Sequence, residues 1–197
     1  MSASRRRLLL SAAATLPLLP LFGAGRAFAQ TSRAPLALTP ECGSASGPTP
    51  AQTEGPFFSP NTPLKRDFAA DAPGGQPFLL AGLVLDAQCR PVPGALIELW
   101  HADEAGAYDN RGFRLRGHQF ADDKGMWWFS TIVPALYPGR ARHFHVKVQR
   151  PGARVLTTQL YFPDDPGNSR DRLYRPDLQM RTMRAENGPT GRFDFVI

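Results

Sequence analysis

The chain has 197 residues, a length that fits one domain, and it is rich in Pro (20) and Gly (18) while only 20% of its residues are charged. This composition argues against a helical bundle and favours an all-β protein with long loops. The formal net charge is +6, and four arginines within residues 1–29 supply most of it. The remainder has no sustained basic run, which argues against a nucleic-acid partner.

Residues 1–29 have the features of an export signal. Arg5-Arg6-Arg7 precede a mostly apolar stretch, and Ala27-Phe28-Ala29 fits a small-x-small cleavage site before Gln30. Two prolines interrupt the apolar stretch, so we expect no stable membrane anchor. Residues 4–9 resemble a twin-arginine signal, and an ordinary secretory signal is the alternative. We therefore expect a periplasmic or extracellular protein.

Residues 30–77 are rich in Pro, Gly, Ser and Thr, and they show little periodicity. We interpret them as a long irregular N-terminal arm that wraps the domain. The sequence has two cysteines, Cys42 in this arm and Cys89 in the turn after the first predicted strand. Because exported proteins meet an oxidising compartment, a disulfide between them is predicted, with two unrelated buried thiols as the alternative.

Residues 78–197 carry short apolar or alternating segments with turn residues between them, which is typical of β-strands. Strands are predicted at 78–85, 95–101, 126–132, 139–148, 155–162 and 192–197. The polar, arginine-rich segment 163–191 is predicted to be a loop. No long helical pattern is present, so the expected fold is an antiparallel β-sandwich.

Two histidines in the predicted strand 139–148 are candidate metal ligands. His143 and His145 are separated by one residue, so their side chains point to the same face of the strand. Imidazole binds iron, copper, nickel and zinc, and two surface histidines remain the alternative. Tyr137 lies just before this strand and Tyr108 just after the strand 95–101. Because two phenolates are hard anionic ligands, the full set of four favours Fe(III).

The order of motifs then resembles a known family. The matching segments are 53–58 (TEGPFF), 94–103 (GALIELWHAD), Gly106-x-Tyr108, Tyr137-Pro138, Arg140-x-x-His143-x-His145 and 157–162 (TTQLYF). As a set, they resemble the intradiol ring-cleavage dioxygenases. These are non-haem Fe(III) enzymes that use O2 to open a catechol between its two hydroxyl groups, and the product is a muconate-type diacid.

The resemblance implies a role for each of seven residues. Tyr108, Tyr137, His143 and His145 are the implied iron ligands. Tyr137 also accepts a substrate proton, Arg140 stabilises negative charge on the substrate ring, Gln159 holds polar groups near the iron, and Trp100 helps form the wall of the substrate pocket. The implied partners are a catecholic small molecule and O2. The resemblance is also compatible with a homo-oligomer.

Two other protein classes compete with this interpretation. A cupin-type oxidase needs a further histidine downstream of its His-x-His pair, and no histidine follows His145. A non-catalytic, prealbumin-like β-sandwich that binds a partner is the remaining alternative. The sequence leaves open whether catechol, protocatechuate or hydroxyquinol is the substrate. Several arginines in 163–191 could bind a substrate carboxylate or could lie on the solvated surface: Arg172, Arg175, Arg181 and Arg184.

Overall fold

The computed structural model describes residues 47–185 and 188–197, so the predicted signal and the first part of the arm lie outside the described residues. The described part contains nine strands: β1 Pro77–Leu85, β2 Leu96–Trp100, β3 Arg116–Phe120, β4 Met126–Ile132, β5 His143–Gln149, β6 Val155–Tyr161, β7 Arg181–Ala185, β8 Gly188–Arg192 and β9 Phe195–Val196. Its only helical segments are two short 3-10 turns, Ala69–Asp71 and Pro176–Leu178. Within these residues, no helix is long and apolar enough to span a membrane.

The strands form two sheets. One sheet has the order β4-β1-β8-β7, with β9 also paired to β1, and the other has the order β3-β2-β5-β6. The predicted all-β sandwich is therefore confirmed. Most neighbours are antiparallel, as expected, but β1 pairs in parallel with β8 and with β9.

The hydrophobic core lies between the two sheets. Alternate residues of β1 and β4, among them Leu80 and Phe129, face alternate residues of the second sheet such as Phe144 and Val146, and all four are fully buried. The period-2 pattern that predicted the strands is thus the pattern that separates core from outer face. In β5 this places Phe144 and Val146 in the core, and it turns His143 to the outer face of the second sheet.

The sequence-based assignment is wrong in two regions. Residues 163–191 are not all loop, because they contain β7 and part of β8. Every residue of β7 is exposed, so this edge strand carries no burial pattern that could have revealed it. Strand β3 was also missed, since its sequence RGHQF shows no alternation of apolar and polar residues.

The predicted strand 192–197 is interrupted near its start. Phe193 donates its backbone N–H to Ala81 O at 3.0 Å, and the carboxylate of Asp194 accepts the backbone N–H of Leu83 at 2.9 Å. A side chain therefore replaces a ladder hydrogen bond between β8 and β9. Only Phe195–Val196 resumes the regular pairing with β1.

The arm crosses both sheets. Thr49 N donates to Val196 O in β9, and Gln52 N then donates to Thr157 O in β6. Further along, Leu64 pairs with β3 and Asp67 pairs with β4. The described part of this segment therefore contacts strands of both sheets. The outer face of the second sheet is covered by this arm where it crosses β6 and β5.

Cys89 is disulfide-bonded in the structure. Its predicted partner Cys42, the other cysteine of the chain, lies outside the described residues.

Candidate metal centre and active site

The candidate site lies on the outer face of the second sheet. Strand pairing places His145 of β5 opposite Trp100 of β2 on one side and opposite Gln159 of β6 on the other. His143 is likewise opposite Tyr161. Because directly opposed residues share a face, these side chains cluster although they come from three strands. All five are buried, since the arm covers them.

The two histidines face each other through their Nε2 atoms, which are 3.1 Å apart. The Nδ1 of His143 lies 2.7 Å from Ala141 O, a contact that places a proton on Nδ1 and leaves the Nε2 lone pair free. Burial lowers the pKa of His143 to about 4, with the nearby Arg140 adding to the effect. Burial also holds the pKa of His145 well below its ordinary value. Both imidazoles are therefore neutral at pH 7, as metal ligands must be.

Two loops bring the candidate tyrosines to the histidines. Tyr108 lies between β2 and β3, and Tyr137 lies between β4 and β5. The loops are joined by a hydrogen bond from Ala135 N to Asp103 O at 3.0 Å. They also touch at Gly106, where a Cβ atom would lie 2.6 Å from Leu136 O and the φ of +84° suits glycine. A larger residue here would push the two tyrosine loops apart.

Both tyrosines are half-buried above the histidines. The hydroxyl of Tyr108 is 3.4 Å from His143 Nε2, and the rings of Tyr108 and Tyr137 meet edge to face with centroids 6.0 Å apart. Phe57 of the arm stacks on Tyr108 at 4.5 Å and meets Tyr137 edge-on at 5.3 Å. Burial raises the pKa of Tyr108 above its ordinary value, although Arg140 and Arg116 oppose the shift. The phenol therefore stays protonated unless a further cation lies beside it.

Arg140 lies in the loop before β5 and turns toward the site. A turn closed by Arg140 N and Tyr137 O at 3.0 Å precedes the strand, which begins only at His143. The Nη2 of Arg140 donates to Gln159 Oε1 at 2.5 Å, and its Nε donates to Asp171. Because Arg140 lies in this turn and not in β5, its side chain can reach the same side of the sheet as Gln159.

Gln159 links the arm to this arginine. Its Nε2 donates to Thr53 O at 2.9 Å, while its Oε1 accepts from Arg140 Nη2 and from the hydroxyl of Tyr161 at 3.1 Å. Trp100 stacks on His145 with centroids 5.0 Å apart and planes within 8°. The structure therefore brings together all seven residues that the sequence singled out: Trp100, Tyr108, Tyr137, Arg140, His143, His145 and Gln159.

The donor set fits a hard transition-metal ion. Two neutral imidazole nitrogens converge at 3.1 Å, and at most one of them can donate a hydrogen bond to the other. The Nδ1 of His145 is buried and has no hydrogen-bond partner among the described residues. A metal ion held by the two histidines would give both Nε2 lone pairs a partner and would also favour the Tyr108 phenolate. In residues 47–185 and 188–197, no group of three or more His, Cys, Asp or Glu side chains is placed to hold a metal ion.

A buried arginine holds the Tyr108 loop against the arm. Arg116, on β3 opposite Trp100, donates to Asp109 O at 2.7 Å, to Phe57 O at 2.5 Å and to Asn110 Oδ1 at 3.0 Å. Only 1% of this residue is exposed. Because a buried guanidinium needs such partners, Arg116 makes the position of Phe57 depend on the position of the Tyr108 loop.

Several residues that line or support the site were not predicted from the sequence. Phe57 belongs to the TEGPFF segment, so the motif marked it as part of the resemblance. The motif did not predict that Phe57 contacts both tyrosines. Tyr161 likewise belongs to a matching segment, TTQLYF, but its contacts depend on cross-strand neighbours. Arg116 had no local signal, because its role also depends on cross-strand neighbours. Asp171 was hidden in the segment predicted to be loop. The arginines considered for carboxylate binding all have exposed side chains: Arg172, Arg175, Arg181 and Arg184.

Comparisons with known proteins agree with this arrangement. The family model described as "Dioxygenase" matches residues 53–195. The dioxygenase domain of a dioxygenase carbohydrate-binding protein fusion from the cellulolytic bacterium Streptomyces sp. SirexAA-E is 48% identical, with a TM-score of 0.75 over 77% of this chain and 98% of that chain. Hydroxyquinol 1,2-dioxygenase from Pseudomonas putida is 28% identical, with a TM-score of 0.69 over 77% of this chain and 67% of that chain.

Among curated proteins, a catechol 1,2-dioxygenase from Pseudomonas sp. is 30% identical over 173 residues, which are 73% of this chain and 57% of the relative. The chain thus spans about half the length of the curated relatives it matches. The fold and the site define an all-β dioxygenase-type domain with two histidines and two tyrosines on the outer face of its second sheet. The chain belongs to the intradiol dioxygenase family.

Proposed function

We propose that the protein is a non-haem Fe(III) dioxygenase that cleaves a catechol-type ring between its hydroxyl groups with O2 and forms a muconate-type diacid. The observation that carries this proposal is the convergence of His143 Nε2 and His145 Nε2 at 3.1 Å, with the Tyr108 hydroxyl 3.4 Å from His143 Nε2. The ring of Tyr137 lies beside that of Tyr108. The names of the relatives, catechol and hydroxyquinol 1,2-dioxygenases, support the substrate class.

Tyr108, Tyr137, His143 and His145 would hold the iron. When bound, Fe(III) would withdraw electron density from a catecholate and so prepare the ring for reaction with O2. With iron bound, Tyr137 would be a phenolate, and its oxygen could then accept a proton from a catechol hydroxyl and become a neutral phenol. Trp100 and Phe57 would provide apolar walls for the substrate, since Trp100 stacks on His145 and Phe57 stacks on Tyr108.

Arg140 supplies positive charge beside the proposed iron ligands. Its Nε and Nη2 are occupied by Asp171, Gln159 and Tyr161, whereas its Nη1 has no protein partner among the described residues. A guanidinium held in this way is a preorganised donor for negative charge that develops on the substrate. Gln159 helps to hold it, because its Oε1 accepts from Nη2.

The proposal is tested by the colour and turnover of the purified protein. Iron-replete protein should be red-brown, because two tyrosinates on Fe(III) give a visible charge-transfer band. It should take up O2 with at least one of catechol, protocatechuate and hydroxyquinol. Visible spectroscopy, iron analysis and an oxygen electrode are the measurements.

The same experiment contains its own control. Protein treated with an iron chelator should lose both the visible band and the O2 uptake, and added iron should restore them. Iron-replete protein with no visible band would contradict the ligand set. A non-catalytic binding module, the alternative from another class, would bind no iron and take up no O2.

The reaction takes place outside the cytoplasm in this proposal. The features of residues 1–29 support export, and the disulfide at Cys89 is typical of proteins in an oxidising compartment. Mass spectrometry of the exported protein should find an N-terminus at Gln30. Replacing Arg5 and Arg6 by Lys should block export, and normal export of that variant would contradict the twin-arginine route.

A further inference from the structure

Two buried aspartates in the loop after β6 form matching ion pairs with the loop before β5. Asp171 pairs with Arg140 at 2.9 Å, and Asp165 pairs with Arg142 at 2.8 Å. The two carboxylates are equally buried, with 1% and 0% of their side chains exposed. A buried carboxylate needs such partners, so both pairs stabilise the junction of the loops. Only the first of them holds a residue of the proposed active site.

The carboxylate of Asp171 contacts three parts of the junction. Both of its oxygens accept from Arg140 Nε, at 3.0 and 2.9 Å. Its Oδ2 also accepts Ala141 N at 3.0 Å, and its Oδ1 accepts Leu173 N at 2.9 Å. Because Ala141 O in turn contacts His143 Nδ1 at 2.7 Å, the same carboxylate holds the peptide that orients a candidate ligand.

These contacts define the direction in which Arg140 points. Asp171 holds the Nε edge of the guanidinium, while Gln159 and Tyr161 hold Nη2 at 2.5 and 3.4 Å. The plane of the guanidinium is therefore determined from two sides. An arginine side chain has many rotamers when it is free, so an unsupported Arg140 would adopt the direction observed here only part of the time.

We propose that Asp171 is a positioning residue for ring cleavage, which acts by orienting Arg140 toward the substrate and does not itself touch the substrate. The inference rests on the proposed function of Arg140. Positioning of a charge before the reaction matters because a preorganised group needs no reorganisation when charge develops. A displacement of about 1 Å can cost roughly a hundredfold in rate.

The test is the variant Asp171→Asn, which keeps the shape of the side chain and removes its charge. We expect kcat to fall by about tenfold to a hundredfold, with little change in KM, because the lost interaction is made mainly in the transition state. Iron content and the visible spectrum should be retained. Steady-state kinetics, iron analysis and visible spectroscopy measure these three quantities.

Asp165→Asn is the matched control, since it breaks an ion pair of the same type and burial in the same loop. Both variants should lower the unfolding temperature to a similar extent. Asp165→Asn should change kcat by less than about threefold, because Arg142 is not part of the proposed site. Equal losses of kcat in the two variants would overturn the inference, since general loosening of the loops would then explain both.

A double-mutant cycle with Arg140→Leu separates the inference from the proposed function. If Asp171 acts through Arg140, Asp171→Asn should cause no further loss of kcat in the Arg140→Leu background. If Arg140→Leu has a low kcat while Asp171→Asn has a near-normal kcat, the inference about Asp171 is overturned but the proposed role of Arg140 is not. A near-normal kcat for Arg140→Leu would overturn the proposed role of Arg140 and the inference with it.

If Asp171→Asn does not fold, Asp171→Glu is the second variant, because it keeps the buried charge but displaces it. Asp171→Glu should also lower kcat, and it should cause no further loss of kcat in the Arg140→Leu background.

Discussion

Tyr108→Phe should lower the affinity for Fe(III) by about tenfold or more, whereas Tyr137→Phe should still bind iron and catechol but turn over more slowly. The reason is that the two side chains make different contacts in the site. Tyr108 lies 3.4 Å from His143 Nε2, and its loop is held by Arg116 and by stacking with Phe57. It is therefore suited to be a permanent anionic ligand, whose loss removes a charge that the metal needs.

The hydroxyl of Tyr137 makes no hydrogen bond to another described residue, whereas that of Tyr108 lies 3.4 Å from His143 Nε2. This suits a phenolate that also accepts a substrate proton. Iron content and stopped-flow absorbance on anaerobic addition of catechol measure both variants, and wild-type protein loaded in the same way is the control. The two roles would be wrong if both variants behaved alike, or if Tyr137→Phe lost iron while Tyr108→Phe retained it.

Arg140→Leu should lower kcat by roughly a hundredfold or more while it leaves iron content and the visible band in place. Leucine fills similar space but cannot donate to the substrate or to Gln159 and Asp171. The expected loss is that of a preorganised group that stabilises charge in the transition state. Kinetic constants with the best substrate from the oxygen-uptake screen, together with the visible spectrum, measure the effect.

Arg142→Leu is the control for this variant. Arg142 also pairs with a buried aspartate, at 2.8 Å, but the side-chain hydrogen bond of Arg142 goes to Asp165 and not to Gln159. It should therefore affect stability more than turnover. An Arg140→Leu variant with near-normal kcat would assign Arg140 a structural role only.

Local patterns were sufficient for the strands that bury one face. In β5 the alternation of Phe144 and Val146 with His143 and His145 predicted both the strand and the shared face of the histidines, because side chains repeat every two residues. Where no face is buried, as in β7, the pattern is absent and the strand was missed. The parallel pairing of β1 with β8 was equally beyond reach, since strand order depends on contacts between distant parts of the chain.

The sequence by itself determined the two-histidine face and, through the order of motifs, the chemistry to expect from Tyr108 and Tyr137. Only the tertiary structure decided how that face becomes a closed site. The arm covers it through Gln52 and Thr53, more than a hundred positions before their partners in β6. Asp171 lies within a segment predicted to be a polar loop, and it is buried only because folding brings it to Arg140. A charge so far along the chain has no local pattern, because its environment exists only after both loops have packed.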